Sequence, residues 1–182
     1  MKYILVSLFI IATLSCDDTI DDLCPRVPAV SCSNNIETEV EVIKGLVAHY
    51  DSFTTTIIVQ ESRTVAPESF YLTESLNCAV EIDSSDIVKL TELNMTSINW
   101  CQNQLYPVMV LPQDELFCLE QNDPLAARER YDNSRFLSVS RPLIINDRAI
   151  LTIDTNCSFN VAIMQRQNDR WIVLCNTIIA VC

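Results

Sequence analysis

The sequence predicts an α+β domain in which an N-terminal helix packs with a mainly antiparallel sheet, the sheet ends in a C-terminal four-strand meander, and disulfides staple the whole. Three observations point there. Apolar residues recur at steps of three and four between Asn34 and Tyr50, alternating and β-branched segments dominate the last third, and nine cysteines are spread over 182 residues. With 49% hydrophobic and 20% charged residues, the chain can bury one core and is too short for two ordinary domains. A division into 1–15, 16–32 and 33–182 follows: leader, acidic tether and single α+β domain.

The leader, MKYILVSLFIIATLS, carries Lys2 and then an apolar run from Tyr3 to Leu14 broken only by Ser7 and Thr13. These are the n-region and h-region of a signal peptide. At about 1.5 Å per residue such a run spans roughly 20 Å as a helix, short of the ~30 Å hydrocarbon core, which disfavours a permanent membrane span. Residues 16–32 read as an extended stalk, acidic at Asp17, Asp18, Asp21 and Asp22 and stiffened by Pro25 and Pro28. Cys24 and Cys32 are expected to fasten this stalk to itself or to the body.

In the body, Ile36, Val40, Ile43, Leu46, Val47 and Tyr50 line one face of a helix capped by Ser33 or Asn34, and Gly45 inside it marks close packing against a neighbour. TTTIIVQES alternates as a strand. DSSDIVKLTELN places Ile87, Leu90 and Leu93 on a helix behind a serine cap, and YPVMVLPQ is a short strand bounded by Pro107 and Pro112. Two short helices follow in PQDELFCLEQNDPLAARERYDNS, the second starting at Pro124. RFLSVSRPLII, RAILTID, FNVAIMQRQ and RWIVLCNTIIAVC form the meander, with Ile150, Val161, Ile163, Ile172 and Leu174 expected to face the helices. The chain has a single glycine, so the turns at Asn146-Asp147 and Asn168-Asp169 must use Asn and Asp for left-handed backbone. A two-residue turn at Asn168-Asp169 pairs Gln167 with Arg170 and carries Cys157 to Ala180, beside Cys182. Cys157 with Cys182 is therefore the preferred bridge, a one-residue slip or bulge would change the partner, and the other pairings stay open.

The segment TLSC resembles the lipobox of bacterial lipoproteins; Ser15 fits it, whereas Thr13 stands where Leu is usual and Leu14 is bulkier than the usual occupant. The resemblance implies cleavage before Cys16, diacylglycerol on its sulfur, acylation (palmitate) of the new amino terminus, and the lipid bilayer as a partner. Setting Cys16 aside leaves Cys24, Cys32, Cys78, Cys101, Cys118, Cys157, Cys175 and Cys182, an even number sufficient for four disulfides. Ordinary cleavage after Ser15, which yields a soluble secreted disulfide-rich domain without lipid, is the competing expectation. The acids after Cys16 resemble the export tract of surface lipoproteins of the Bacteroidota. The last third also resembles uncharacterised lipoproteins and secreted proteins of that group, through Ser140-Arg141-Pro142, Asn146-Asp147, Ala149 and Trp171, though glycines usual before the penultimate strand are missing. It implies an outer-membrane or cell-surface address on a Gram-negative envelope, a fold type, and no activity.

A net charge of −12 repels polyanions, and the nine arginines are scattered, so a nucleic-acid partner is not expected. His49 stands alone at the margin of its helix stripe, which fits a structural role better than a catalytic or metal site. There is no CxxC, and one glycine excludes GxGxxG, GxxxxGK[ST] and GxSxG loops, so no cofactor is expected. Asp83 with Asp86 and Asp114 with Glu115 are the acid pairs through which an envelope hydrolase could work. Near helix starts such pairs more often complement the helix dipole. Asn94 and Asn156 begin N-glycosylation triplets. The favoured expectation is a non-catalytic binding or interaction protein with a protein or glycan partner, presenting an apolar or aromatic patch near the sheet and no convergent polar pocket. The hydrolase predicts instead a concave site with two acids or a Ser/Tyr cluster.

Overall fold

Turns set the frame of the sheet, and Asn and Asp fill them. The computed structural model describes residues 20–29, 32, 35–51, 55–65, 83–123, 125–155 and 158–181. The leader, Cys16, Ser33, Asn34, Cys78, Pro124, Asn156, Cys157 and Cys182 lie outside the described residues, and with them the expectations placed on those positions. Left-handed φ values occur at Asp132 (51°), Asn133 (57°), Asn146 (56°), Asn168 (48°) and Asp169 (59°), and at no other residue type among those described. Asn and Asp tolerate this region best after glycine, which the chain uses once and elsewhere.

The helices are α1 (Ile20–Leu23), α2 (Glu37–Tyr50), α3 (Ser84–Leu93), α4 (Gln102–Leu105), α5 (Gln113–Asn122) and α6 (Ala126–Arg130). The strands are β1 (Thr56–Val59), β2 (Met109–Leu111), β3 (Arg135–Val139), β4 (Leu143–Ile145), β5 (Arg148–Thr155), β6 (Ser158–Gln167) and β7 (Arg170–Val181). They form one mixed seven-stranded sheet in the order β2-β1-β3-β5-β6-β7, with β4 also paired to β5. β1 runs parallel to both β2 and β3, while every pairing among β3 to β7 is antiparallel.

The expected first meander segment is two strands, so the run is β3 to β7. The break falls at Ser140-Arg141-Pro142: Pro142 has no N–H to donate, and the Ser140 hydroxyl accepts from the Thr152 N–H at 2.9 Å in place of a continuing ladder. Arg141 reaches back to α2, its Nη2 lying 2.9 Å from Glu39 Oε1. Its backbone N–H donates to Asn94 Oδ1 at 2.7 Å. The cap of α3 is Asp83 instead of a serine, because its carboxylate accepts from the Ser85 N–H at 3.0 Å. That bond holds the Asp83 carboxyl below the ordinary range.

Both faces of the sheet are covered. On one, Val40, Ile43, Leu46, Val47 and Tyr50 of α2 pack on Ile58, Leu137, Leu151, Ala162, Met164 and Trp171. On the other, Ile57, Val59 and Phe136 pack with Leu116 and Leu119 of α5, and Ile150 and Val161 pack with Leu90 of α3. Of the residues expected to face the helices, Ile150, Val161 and Ile163 are buried, and the first two pack on α3; Ile172 and Leu174 are corrected, remaining 38% and 39% exposed. The first helix, α2, takes the opposite face and covers the Leu151/Met164/Trp171 set. Alternation defines two faces, but in a sheet apolar on both sides it does not say which one the first helix takes. Ile36 is likewise corrected: it is the N-cap of α2, without a side-chain capping bond, and is exposed.

The β6–β7 hairpin has the expected register at its turn, Gln167 opposite Arg170. Register shifts at Phe159/Asn160 and Ile163/Met164 then bring Phe159 opposite Ala180 and Ser158 opposite Val181.

Gly45 is where α2 approaches the sheet. A Cβ built there would lie 2.5 Å from the Trp171 carbonyl oxygen and 2.7 Å from Trp171 Cβ, so the helix backbone rests directly on β7. Gly45→Ala gains up to ~1 kcal/mol of helix propensity but forces α2 off the strand, a strain costing about 1–3 kcal/mol. A net loss in the urea-unfolding free energy is expected, and an unchanged or raised midpoint would show that this contact does not constrain the packing.

Candidate functional site

Of the acid pairs, Asp114 and Glu115 separate at once. Both sit in the first turn of α5, but neighbouring residues on a helix diverge by ~100°. Asp114 is exposed, whereas Glu115 is 2% exposed. Glu115 Oε1 accepts from the Tyr131 hydroxyl at 2.5 Å and from Arg130 Nη1 at 3.1 Å, and Oε2 accepts from the Val27 backbone N–H at 2.8 Å. Arg130, whose side chain is 3% exposed, also reaches Asp21 Oδ1 at 2.7 Å and the Ile20 carbonyl at 3.2 Å. Burial first, then the bond to Glu115 and its charge, push the Tyr131 phenol well above its ordinary pKa.

This network binds residues 20–29 to the body. Cys24 is buried and disulfide-bonded to Cys118 on α5, with a Cα separation of 5.7 Å. A second bridge joins Cys32 to Cys101. The expected extended stalk is thus corrected over its described part: it contains the helical turn α1 and is docked on α5 and α6. Ile20 and Cys24 bury apolar surface there, and Glu115 satisfies the Val27 N–H.

The remaining candidates are dispersed. Asp83 caps α3 and Asp86 pairs with Lys89 at 3.0 Å. His49 is exposed at the end of α2, edge-on to the Tyr50 ring with centroids 5.4 Å apart. Asn94 is fully buried and its Nδ2 donates to Leu90 O at 2.9 Å and Arg141 O at 3.0 Å, so the folded protein does not present it for glycosylation. Cys175 is disulfide-bonded, and because Cys24, Cys32, Cys101 and Cys118 pair among themselves, its partner is one of Cys16, Cys78, Cys157 and Cys182. Among the described residues no three His, Cys, Asp or Glu side chains cluster as a metal site, and no helix is long and apolar enough to cross a membrane.

Two clefts flank Phe136 and Thr155, which line both. The first, of about 470 Å³, lies between the end of β1 and α5 and is lined by Glu61, Arg63, Ser97, Phe117, Glu120 and Asp154 among others. Its cation is already matched: Arg63 is ion-paired with Asp154 and lies 4.7 Å above the Phe159 ring. Ser97 donates to Glu61 at 2.6 Å.

The second cleft, of about 570 Å³, is lined by Tyr50, Arg128, Ser134, Arg135, Asn160 and Asn176 together with five neighbours. Among the described residues no Asp or Glu lines it, although the chain holds 24 acids against 12 Lys and Arg. Arg135 lies 5.0 Å above the Tyr50 ring, and the Tyr50 hydroxyl accepts from Asn176 Nδ2 at 2.6 Å. Asn160, at 5% exposure, has a buried Oδ1 without a hydrogen-bond partner. Sequence reasoning passed over this cleft because its walls come from α2, α6, β3, β5, β6 and β7. The one local signal was RERYDNSR, a basic cluster in an acidic chain.

Comparison with protein-family models, with curated proteins and with solved structures returns no match to this chain.

Glu115→Ala removes the acceptor of the Tyr131 hydroxyl and the Val27 N–H and leaves buried Arg130 only Asp21 and the Ile20 carbonyl, so a loss of about 2–4 kcal/mol in unfolding free energy is expected, against ~0.5 kcal/mol or less for Asp114→Ala. Equal effects of the two substitutions would show that the Glu115 network does not hold the segment. The raised Tyr131 pKa means that the folded state holds the phenolic proton longer than the unfolded chain. Its contribution is complete below the unfolded value of ~10 and is lost as pH rises through the folded one. Urea unfolding between pH 9 and pH 11 should show stability falling with pH in the native protein, with a shallower slope in Tyr131→Phe.

Proposed function

We propose that the chain is an exported, non-catalytic binding protein, anchored in the outer membrane or at the cell surface of a Gram-negative envelope through lipid on Cys16, with its ligand taken in a cleft beside Phe136. The observation that carries export is the state of the cysteines: each of the five described ones is oxidised, a condition that cytosolic thiol buffers do not sustain. Cys16 stands outside that framework by the odd count and beside the leader.

Docking of residues 20–29 changes what the anchor does. Only residues 17–19 separate Cys16 from Ile20, a reach of about 14 Å at ~3.5 Å per residue. The domain then rides close to the bilayer with its α1–α5 side nearest, instead of on a stalk of the length expected from 16–32.

The hydrolase reading finds less support. Neither Asp83 with Asp86 nor Asp114 with Glu115 lines a cleft, and each of these groups except exposed Asp114 has a structural partner. The acids that do line the first cleft, Glu61 and Asp154, already accept a bond from Ser97 and an ion pair from Arg63. For the binding reading, the exposed apolar side chains Ile172, Leu174, Ile178 and Val181 on β7 match the patch expected near the sheet.

Intact mass of the mature protein from envelopes, with and without reduction, tests the anchor. The expected species begins at Cys16, carries a thioether diacylglycerol and an N-acyl chain, and gains the hydrogens of four disulfides on reduction. An unmodified Cys16 or a different first residue would leave the soluble secreted alternative.

A further inference from the structure

The second cleft gathers a chemistry that the rest of the molecule dilutes. Two arginines, Arg128 and Arg135, line a space to which no Asp or Glu contributes among the described residues, in a protein whose net charge is −12. Arg128 is exposed on α6, while Arg135 lies 5.0 Å above the Tyr50 ring, a contact that restricts its side chain before any ligand arrives. Around them Ser134, Ser158 and Asn176 supply hydroxyl and amide groups, and Asn160, which also lines the cleft, has a buried side-chain Oδ1 without a hydrogen-bond partner. A planar fork of N–H donors recognises the two oxygens of a carboxylate or phosphate, and an orphan carbonyl is satisfied by a hydroxyl.

Resting on the binding-module reading, we infer that this cleft binds a small hydroxylated oxyanion, a carboxylate or phosphate carried on a hydroxyl-bearing carbon skeleton. A cleft of about 570 Å³ accommodates a molecule of that size. The surrounding negative field excludes long polyanions but acts weakly on a small ligand within ~10 Å of two matched cations. An ammonium ligand meets only repulsion there, and an apolar one strips water from both guanidinium groups without replacing it. The first cleft has the opposite character, since Asp154 neutralises Arg63 and Glu61 and Glu120 add negative charge.

Calorimetric titration of the mature, disulfide-intact protein with glucuronate, glucose 6-phosphate and glucose tests this. At least one anion should bind about tenfold or more tightly than glucose, and the better of the two identifies the oxyanion as carboxylate or phosphate. Arg128→Gln, on an exposed helix position, and Arg135→Lys, which keeps charge but loses the fork, should each weaken that anion by about tenfold while leaving the thermal midpoint near native. Glucose binding as well as the anions, and lost in Asn176→Trp, would overturn the anionic class and leave a binding module standing. Anion binding that ignores all three substitutions would overturn the site. Absence of heat from all three compounds would overturn the site as well, while leaving a protein partner open to the binding reading.

Discussion

The close approach of α2 to β7 at Gly45 organises one whole side of the molecule. With no Cβ in the way, the helix backbone comes down onto the carbonyl and Cβ of Trp171, whose side chain is buried. Val40, Ile43, Leu46 and Val47 then share one core with Leu151, Ala162 and Met164. A chain that uses glycine once, and uses it here, has spent its permissive residue on packing and left its turns to Asn and Asp. The same geometry places Tyr50, at the end of α2, over the β6–β7 end of the sheet, where it holds Arg135 and Asn176 in the wall of the second cleft. The packing constraint and the candidate site are thus two ends of one helix.

The opposite side is organised by a buried carboxylate. Glu115 gathers donors from α6, from Tyr131 and from the N-terminal segment, and such a group is tolerated because Arg130 and the hydrogen bonds together replace its lost hydration. Its three direct partners come from positions 27, 130 and 131, and Arg130 in turn pairs with Asp21, so the network is complete only when the segment is docked. The Cys24–Cys118 bond adds a covalent tie across a sequence separation of 94 residues, a long loop whose closure restricts the unfolded chain. An acidic stretch that in isolation would stay solvated is folded because its partners are elsewhere in the chain.

That division explains what was legible in the sequence. Local periodicity gave α2, α3, α5, α6, β1 and β2, and turn chemistry gave the Asn168-Asp169 register, because each is decided within a dozen residues. The one-turn helices α1 and α4 are shorter than any period can declare. The split of β3 from β4 depends on Ser140 bonding to Thr152, and the choice of sheet face depends on which side α2 lands on; both are tertiary. The Asp114–Glu115 pair was visible, but its separation into one exposed and one buried acid needed Arg130 and Val27 in place. The second cleft was invisible because six elements contribute to it.

Residues 20–29 belong to the folded body, so a lipid on Cys16 would hold that body close to the membrane. Hydrogen exchange measured by mass spectrometry on the mature, oxidised protein addresses this directly through peptides covering residues 20–29. The expected result is protection of the Cys24 and Val27 amides approaching that of α5, and its loss when the disulfides are reduced. Exchange of this segment at unstructured rates in the oxidised protein would contradict it.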